Sequence, residues 1–259
     1  MSLSRDQMLD EMGLSPQWKL REQASVARRE KAISQTEPAV VEPVIATSAP
    51  RAVSDAERPA YIAGLDWEPL RQSIADCRAC GLCAERKQAV PGVGDENADW
   101  LFIGEGPGAE EDARGEPFVG QAGKLLDAML AAVDLKRGEN VYIANAVKCR
   151  PPGNRTPEAA EMAACAPYLK RQIVLIQPKL IVLLGRAAVH AVLGEEGSLA
   201  SLRGKTLTYR DGERTIPVLV TYHPAYLLRT LPDKSKTWED LCRARALMRE
   251  MTASENAAT

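Results

Sequence analysis

Hydrophobic positions divide the chain into a patterned part that begins near Leu65 and a preceding part without sustained pattern. After Leu65, short apolar runs rich in β-branched residues alternate with stretches of helical period. Four of the runs are continuous, which is typical of strands that are covered on both faces of a sheet. These predicted strands are residues 100–103, 141–144, 180–184 and 217–221.

The stretches of helical period predict helices at 122–133, 156–177 and 186–193 and a closing helix at about 237–251. Thr156 as N-cap, with Pro157 at the first helical position, predicts where the second of these helices begins. Alternating strands and helices favour an α/β fold. We predict a three-layer α/β/α sandwich with a central, mainly parallel four-stranded sheet and functional residues in loops at the carboxyl ends of strands.

Residues 1–60 differ in composition from the patterned part. They are rich in Ala, Pro, Ser, Glu and Val, and such sequence buries too little apolar surface to offset chain entropy. We predict a flexible, largely disordered N-terminal extension, in which 4–12 and 15–33 have the period of short amphipathic helices. The folded domain is then 61–252, followed by a disordered tail at 253–259.

Composition narrows the class of protein. With 259 residues, 45% hydrophobic and 26% charged, the chain is not wholly disordered, collagen-like or a coiled coil. The net charge of −2 provides no overall basic field, so any site for a polyanion must be local. The N-terminus lacks the order of a signal peptide and the most apolar stretch is interrupted by polar residues, so we expect a cytoplasmic chain without a membrane span.

Cysteine placement indicates a metal site. Cys77 and Cys80 form a C-x2-C pair, and Cys149 and Cys165 form a second, wider pair. Four thiolates suit one tetrahedral zinc ion or an iron–sulfur cluster, and the spacing alone does not choose between them. Cys83 extends the first pair to a three-cysteine run of the ferredoxin kind.

A glycine-rich segment, 104–109, follows the first predicted strand and satisfies G-x-G-x-x-A literally. We do not interpret it as a dinucleotide site. Pro107 removes a donor amide, three acidic residues follow, and the second strand ends in Asn145 instead of a ribose-binding acid.

Asn145 and His223 each lie just past a predicted strand, where this architecture places functional residues. The chain has two histidines. His190 falls within an Ala/Val/Leu helix and is predicted to pack, which leaves His223, in a proline-bounded loop, as the functional candidate.

Four ordered motifs carry a resemblance to a known family. They are C-x2-C followed by VPGVG, then GEGPGAEED with EPFVGQAGKLLD, then NAVKCRPPGNRTPE with a further cysteine at 165, and finally HPAYLLR. Over roughly 65–251 the chain resembles the family 4 uracil-DNA glycosylases, the iron–sulfur branch of that superfamily. The resemblance implies that Cys77, Cys80, Cys149 and Cys165 hold a structural [4Fe–4S] cluster, with Cys83 outside the ligand set.

The resemblance also implies an activity, monofunctional hydrolysis of the N-glycosidic bond of uracil in DNA, which initiates base excision repair. His223 would donate to uracil O2, while Glu105 and Glu111 would complete the catalytic set by positioning water. Asn145 would pair with uracil O4 and N3–H, and Phe118 would stack on the base. The substrate-binding set is Gly106, Phe118, Asn145 and Asn154.

Contacts to DNA are expected beside the pocket. Phosphate contacts would come from arginines, and a leucine would fill the gap left by the flipped base. The residues concerned are Arg150, Arg155, Leu227, Leu228 and Arg229. We expect a monomer that acts on uracil in single- or double-stranded DNA, with the N-terminal extension free to bind a repair or replication protein. An alternative from a different class is an iron–sulfur electron-transfer or redox-sensing protein without glycosylase activity.

Overall fold

Six strands form the central sheet of the computed structural model, which describes residues 56–257. The strands are β1 (Val93–Gly94), β2 (Trp100–Gly104), β3 (Val141–Asn145), β4 (Leu180–Leu184), β5 (Leu207–Asp211) and β6 (Arg214–Thr221). Their spatial order is β1-β3-β2-β4-β6-β5. The four inner strands are parallel to one another, and the two edge strands pair antiparallel.

The predicted α/β class is confirmed, and the inner strands are the four that were predicted. The predicted number of strands is wrong, because the sheet has six instead of four. Both missed strands lie at edges. β1 has only two residues, and β5 alternates half-buried with exposed side chains, so neither contains the continuous apolar run that marks an inner strand.

Nine α-helices occur in the described part of the chain. They are α1 (Arg58–Ala63), α2 (Trp67–Asp76), α3 (Ala109–Arg114), α4 (Gln121–Ala131), α5 (Ala159–Ile176), α6 (Arg186–Leu193), α7 (Leu199–Leu202), α8 (Pro224–Leu227) and α9 (Lys234–Ala257). None of them is long and apolar enough to cross a bilayer.

Several helix boundaries differ from prediction. α5 begins after Glu158 and not at Thr156, because the Glu161 carboxylate accepts from the Glu158 amide at 2.8 Å and thereby caps the helix there. α9 continues to Ala257, so the predicted disordered tail is wrong for residues 253–257. The N-terminal boundary also moves, because α1 starts at Arg58 and buries Ile62. The helices predicted at 4–12 and 15–33 lie outside the described residues.

Apolar side chains form one core on each face of the sheet. Successive residues of a strand point to opposite faces, so Phe102 packs in one core and Leu101 in the other. Helices α4 and α9 cover the first face, and α5 and α6 cover the second. This is the predicted three-layer arrangement. A third apolar cluster joins α1 and α2 to the segment after β3.

Strand order determines where a ligand can enter. β3 lies on one side of β2, and the chain then crosses to β4 on the other side. In open α/β sheets such a reversal leaves a crevice outside the carboxyl ends of the strands, and ligands bind there.

Candidate active site

A cavity of about 670 Å³ lies at the carboxyl ends of the four inner strands. Each of these strands supplies lining residues just past its end: Glu105 after β2, Asn145 at the end of β3, Gly185 after β4 and His223 after β6. The cavity therefore lies where the sequence predicts the site. Among the residues predicted for substrate and catalysis, all line this cavity: Glu105, Gly106, Glu111, Phe118, Asn145, Asn154 and His223.

Asn145 forms part of the cavity with an unpaired acceptor. The residue is 2% exposed, and its Oδ1 has no hydrogen-bond partner among the described residues. Its main-chain carbonyl accepts from the buried Lys148 ammonium at 2.9 Å, which fixes the backbone from behind. A buried acceptor without a donor costs about 1–3 kcal/mol, so this amide is suited to a ligand that brings an N–H group.

Phe118 and His223 lie near each other in the cavity lining. Their ring centroids are 5.4 Å apart and their planes differ by 30°. Gly104 makes room for this arrangement at the end of β2, because a Cβ there would lie 2.5 Å from the Phe118 ring and 2.6 Å from Asn145 Oδ1. Gly106 has a similar role beside Val147, since a Cβ there would lie 2.8 Å from that side chain.

His223 is neutral at physiological pH, with a defined tautomer. Its pKa is lowered to about 4, chiefly by burial and also by the Arg229 charge, while the Glu111 carboxylate opposes both effects. The ring Nδ1 accepts from the Ala225 amide at 3.2 Å, at the start of α8. Because Nδ1 accepts, the proton is on Nε2, and the imidazole is a neutral donor.

Two carboxylates were predicted to be catalytic, and their surroundings differ. Burial raises the pKa of Glu105, while a hydrogen bond with the Thr156 side chain lowers it. Thr156 also lines the cavity and was not predicted as a site residue. Glu105 is therefore a partly buried acid within reach of a ligand.

Glu111 is engaged by backbone. Its Oε1 accepts from the amides of Val119 at 2.9 Å and Gly120 at 3.0 Å, and its Oε2 accepts from Gly108 at 3.1 Å. These bonds tie the start of α3 to the loop that carries Phe118. Since both carboxylate oxygens of Glu111 accept from backbone amides, the residue is better suited to positioning this loop than to binding the attacking water, the role predicted for it.

Asn154 was predicted to bind substrate, and its side chain lies at the cavity bound to a neighbouring arginine. Asn154 is exposed on the opposite loop, where its Oδ1 accepts from Arg150 Nε at 2.7 Å. Arg150 is thereby held near the cavity, although it is not part of the lining.

Arginines surround the opening of the cavity. Arg155 and Arg229, both predicted, are exposed lining residues, and so is Arg186, which was not predicted. Arg186 directly follows β4 and Gly185, so the reasoning that selected Asn145 and His223 could also have found it. The two terminal guanidinium nitrogens of Arg155 donate to the Glu161 carboxylate at 2.8 and 2.6 Å.

One of the two predicted leucine contacts is wrong. Leu227 is 1% exposed and packs in the core under α4 and α9, so it does not reach the surface. Leu228 is 42% exposed and remains the candidate for a contact with DNA. The short α8 turns these neighbours to opposite sides.

The four predicted ligand cysteines lie outside the cavity lining, around the third apolar cluster. Cys149 and Cys165 are buried, whereas Cys77 and Cys80 are partly buried. The pKa of Cys165 is raised to about 12, chiefly by burial and in smaller part by Cys149 and Cys77, while Lys148 opposes the rise. Burial also raises the pKa of Cys80 and of Cys149, and each is raised further by Cys77. The thiols are thus close enough to influence one another.

Nitrogen donors reach three of these sulfurs. Arg86 Nη1 donates to Cys149 Sγ at 2.8 Å, the Lys148 amide donates to Cys165 Sγ at 3.3 Å, and Arg58 Nη2 donates to Cys77 Sγ at 3.5 Å. Within residues 56–257, no group of three or more His, Cys, Asp or Glu side chains is arranged to hold a metal ion. Cys83 is partly buried next to the set, and Cys242 is exposed on α9.

Comparisons with known proteins identify the family of the chain. A sequence model of the uracil DNA glycosylase superfamily matches residues 91–242. Type-4 uracil-DNA glycosylase of Archaeoglobus fulgidus is 44% identical over 161 residues, 61% of this chain and 80% of the relative. The type-4 enzyme of Thermotoga maritima is 40% identical over 186 residues, 71% of this chain and 95% of the relative. That of Sulfurisphaera tokodaii is 44% identical over 165 residues, 62% and 75% of the two chains. The chain therefore belongs to the uracil DNA glycosylase superfamily and, within it, to the type-4 uracil-DNA glycosylases.

Proposed function

We propose that this chain hydrolyses the N-glycosidic bond of uracil in DNA and leaves an abasic site. The observation that carries the proposal is the unpaired Oδ1 of Asn145, buried in a cavity that Phe118 and His223 also line. Family membership supports the same activity, because the relatives are named as uracil-DNA glycosylases. Nothing in the described residues or in the comparisons favours the electron-transfer alternative.

Recognition begins with a base turned out of the stack into the cavity, since its glycosidic bond is not accessible within a duplex. Phe118 stacks on the flat ring of the base. Asn145 accepts from uracil N3–H and donates to O4. Cytosine presents the opposite donor and acceptor pattern at these two positions, so the same amide rejects it.

His223 then stabilises the leaving group. The bond between C1′ and N1 breaks, and its electron pair stays on uracil, whose O2 gains negative charge. A neutral imidazole that carries its proton on Nε2 donates to this oxygen as the charge develops. The histidine need not transfer its proton, and its pKa of about 4 keeps it available as a donor over the physiological range.

Glu105 serves the sugar side of the reaction. The sugar acquires oxocarbenium character, and a carboxylate nearby offsets that positive charge and orients the attacking water. The water oxygen bonds to C1′, its proton passes to a base such as Glu105, and uracil leaves as the anion. No lysine is among the described residues that line the cavity, so Schiff-base strand cleavage has no candidate nucleophile there.

Incubation with an oligonucleotide that contains one uracil, followed by hot alkali, tests the proposal. We expect strand breakage at the uracil position and an intact strand for a matched thymine oligonucleotide. Without the alkali step, the uracil strand should stay whole, because hydrolysis leaves the backbone in place. An unbroken uracil strand after alkali would overturn the proposed activity, and a protein–DNA adduct stable to SDS would contradict simple hydrolysis.

We propose that the four predicted ligand cysteines hold a [4Fe–4S] cluster, which the chemistry of their surroundings supports. Iron binds cysteine as the thiolate, and the negative charge of a buried thiolate has to be stabilised. N–H donors already point at the sulfurs of Cys149, Cys165 and Cys77. When bound, the cluster supplies a covalent tie between the segment before β1 and the loop after β3. Asn145 lies at the start of that loop.

Metal analysis of the intact protein, purified without oxygen, tests the assignment. We expect about four iron and about four sulfide per chain, as for one cubane cluster held by four cysteines. Cys149→Ser should lose most of the iron and melt at a lower temperature. Cys242 is exposed on α9, so Cys242→Ser should retain the iron content and the melting temperature of wild type. Stoichiometric zinc without sulfide would refute the assignment.

A further inference from the structure

Phe118 is held in an unusual backbone conformation. Its φ is +54°, in the left-handed region that residues with a Cβ and a bulky side chain seldom adopt. Such a conformation persists where the surroundings specify it, and these places cluster at functional sites. The contacts that hold this residue therefore decide where its ring lies in the cavity.

Arg137 holds the loop from outside. It lies between α4 and β3 and is not among the residues that line the cavity. Its guanidinium donates to two successive carbonyls, Nη1 to Pro117 O at 2.9 Å and Nη2 to Phe118 O at 2.7 Å. The third donor, Nε, binds Asp127 Oδ1 on α4 at 2.9 Å. A planar fork can satisfy these three acceptors together, which a lysine ammonium cannot do in the same geometry.

The other sides of the loop are also fixed. Glu111 accepts from the next two amides, those of Val119 and Gly120. Gly123 on α4 lies against the Phe118 peptide, where a Cβ would be 1.8 Å from Phe118 O. The Arg137 guanidinium therefore binds the carbonyls of residues 117 and 118, and the Glu111 carboxylate binds the amides of residues 119 and 120.

We propose that Arg137, held in place by Asp127, is a positioning residue that keeps the Phe118 ring in its stacking position for the flipped base. The inference rests on the proposed function and extends it to a residue that does not contact the cavity. Without the guanidinium, the two carbonyls lose their donors and the φ of Phe118 relaxes. The ring then moves away from His223, and the base is held less well for the bond-breaking step.

The first test compares Arg137→Gln with wild type in single-turnover uracil release. We expect the maximal single-turnover rate constant to fall about 10-fold with little change in the enzyme concentration that gives half of that rate, because a small displacement of a site residue is costly to the chemical step. Arg137→Lys should recover part of the loss. Arg245→Gln is the matched control. Arg245 lies on α9 and pairs with Asp134 instead of with the loop that carries Phe118. The rate of this variant should stay within about twofold of wild type.

A double-mutant cycle separates positioning from general stability. If Arg137 acts through the ring, Arg137→Gln should have almost no further effect in a Phe118→Ala background, because coupled residues are non-additive. An equal loss in both backgrounds, or no loss in the wild-type background, would overturn the proposal. Should Arg137→Gln not fold, the same cycle with Arg137→Lys decides.

Backbone amide NMR shifts of Val119 and Gly120 provide a readout that does not depend on activity. We expect Arg137→Gln to move both resonances and Arg245→Gln to leave them in place. If wild type releases no uracil, the proposed function fails while the shifts still report on the loop. Unmoved resonances in Arg137→Gln would show that Arg137 does not set the conformation of Phe118.

Discussion

Replacing His223 with alanine is expected to lower the rate of uracil release by about 10²–10³-fold, as for the loss of one donor in an oxyanion hole. The donor acts on charge that appears only as the bond breaks, so the affinity for uracil-containing DNA should change little. Single-turnover rates and binding to an uncleavable uracil analogue in DNA measure the two effects separately. A variant that lost affinity and kept its rate would assign His223 to binding alone.

The charge state of His223 adds a second readout for the same residue. With a folded pKa of about 4, lowered first by burial and then by Arg229, the ring is neutral at neutral pH. Wild-type rates should therefore show no titration near the ordinary histidine value of about 6.5. ¹⁵N NMR at neutral pH should find the proton on Nε2, because Nδ1 accepts from Ala225. An imidazolium at neutral pH would contradict this assignment.

The same shift affects stability. Below about pH 6.5 the unfolded histidine binds a proton, whereas the folded one does so only near its pKa of about 4. Between these values the unfolded state binds more protons, so the free energy of unfolding falls as the pH falls. The stability that depends on a neutral His223 is fully present above about pH 6.5 and is lost as the pH falls towards 4. His223→Ala should melt with a weaker dependence on pH in this window.

The fold was predictable where a single physical cause determined the pattern. The four inner strands are covered on both faces, so their sequences are continuous apolar runs. α6 was predicted with its observed bounds, because an apolar stretch is enclosed there by Gly185 and Gly194. The edge strands were not predictable in this way, since β5 faces solvent on alternate residues.

The lining of the candidate site was predictable to the extent that it follows strand ends. Asn145 and His223 were found by that rule, and Arg186 obeys it as well. The rule cannot show which hydrogen bonds a side chain makes after folding. Arg137 is distant in sequence from Phe118, and only the packing of α4 brings them together. Glu111 resembles a catalytic acid in sequence, but backbone amides occupy both its oxygens.

The role of Asn145 gives the sharpest prediction about substrate choice. Asn145→Asp keeps the size of the side chain and replaces its donor with a second acceptor. The carboxylate then faces uracil O4, which is also an acceptor, in a site where the residue is 2% exposed. We expect release of uracil to fall about 10³-fold, since a pocket built around specific polar groups loses heavily when one is mispaired.

Rates on matched oligonucleotides that carry uracil, cytosine or thymine measure this change. The ratio of uracil to cytosine release should fall sharply in Asn145→Asp, because an acceptor at this position suits the exocyclic amine of cytosine. Thymine shares the polar edge of uracil, so its exclusion depends on the fit of its methyl group, and the same substitution should not admit it. Lys148 continues to hold the main-chain carbonyl of residue 145 in the variant, which keeps the loop in place. If Asn145→Asp released uracil within about tenfold of the wild-type rate, the Nδ2 donor of Asn145 would not be a group that reads the base.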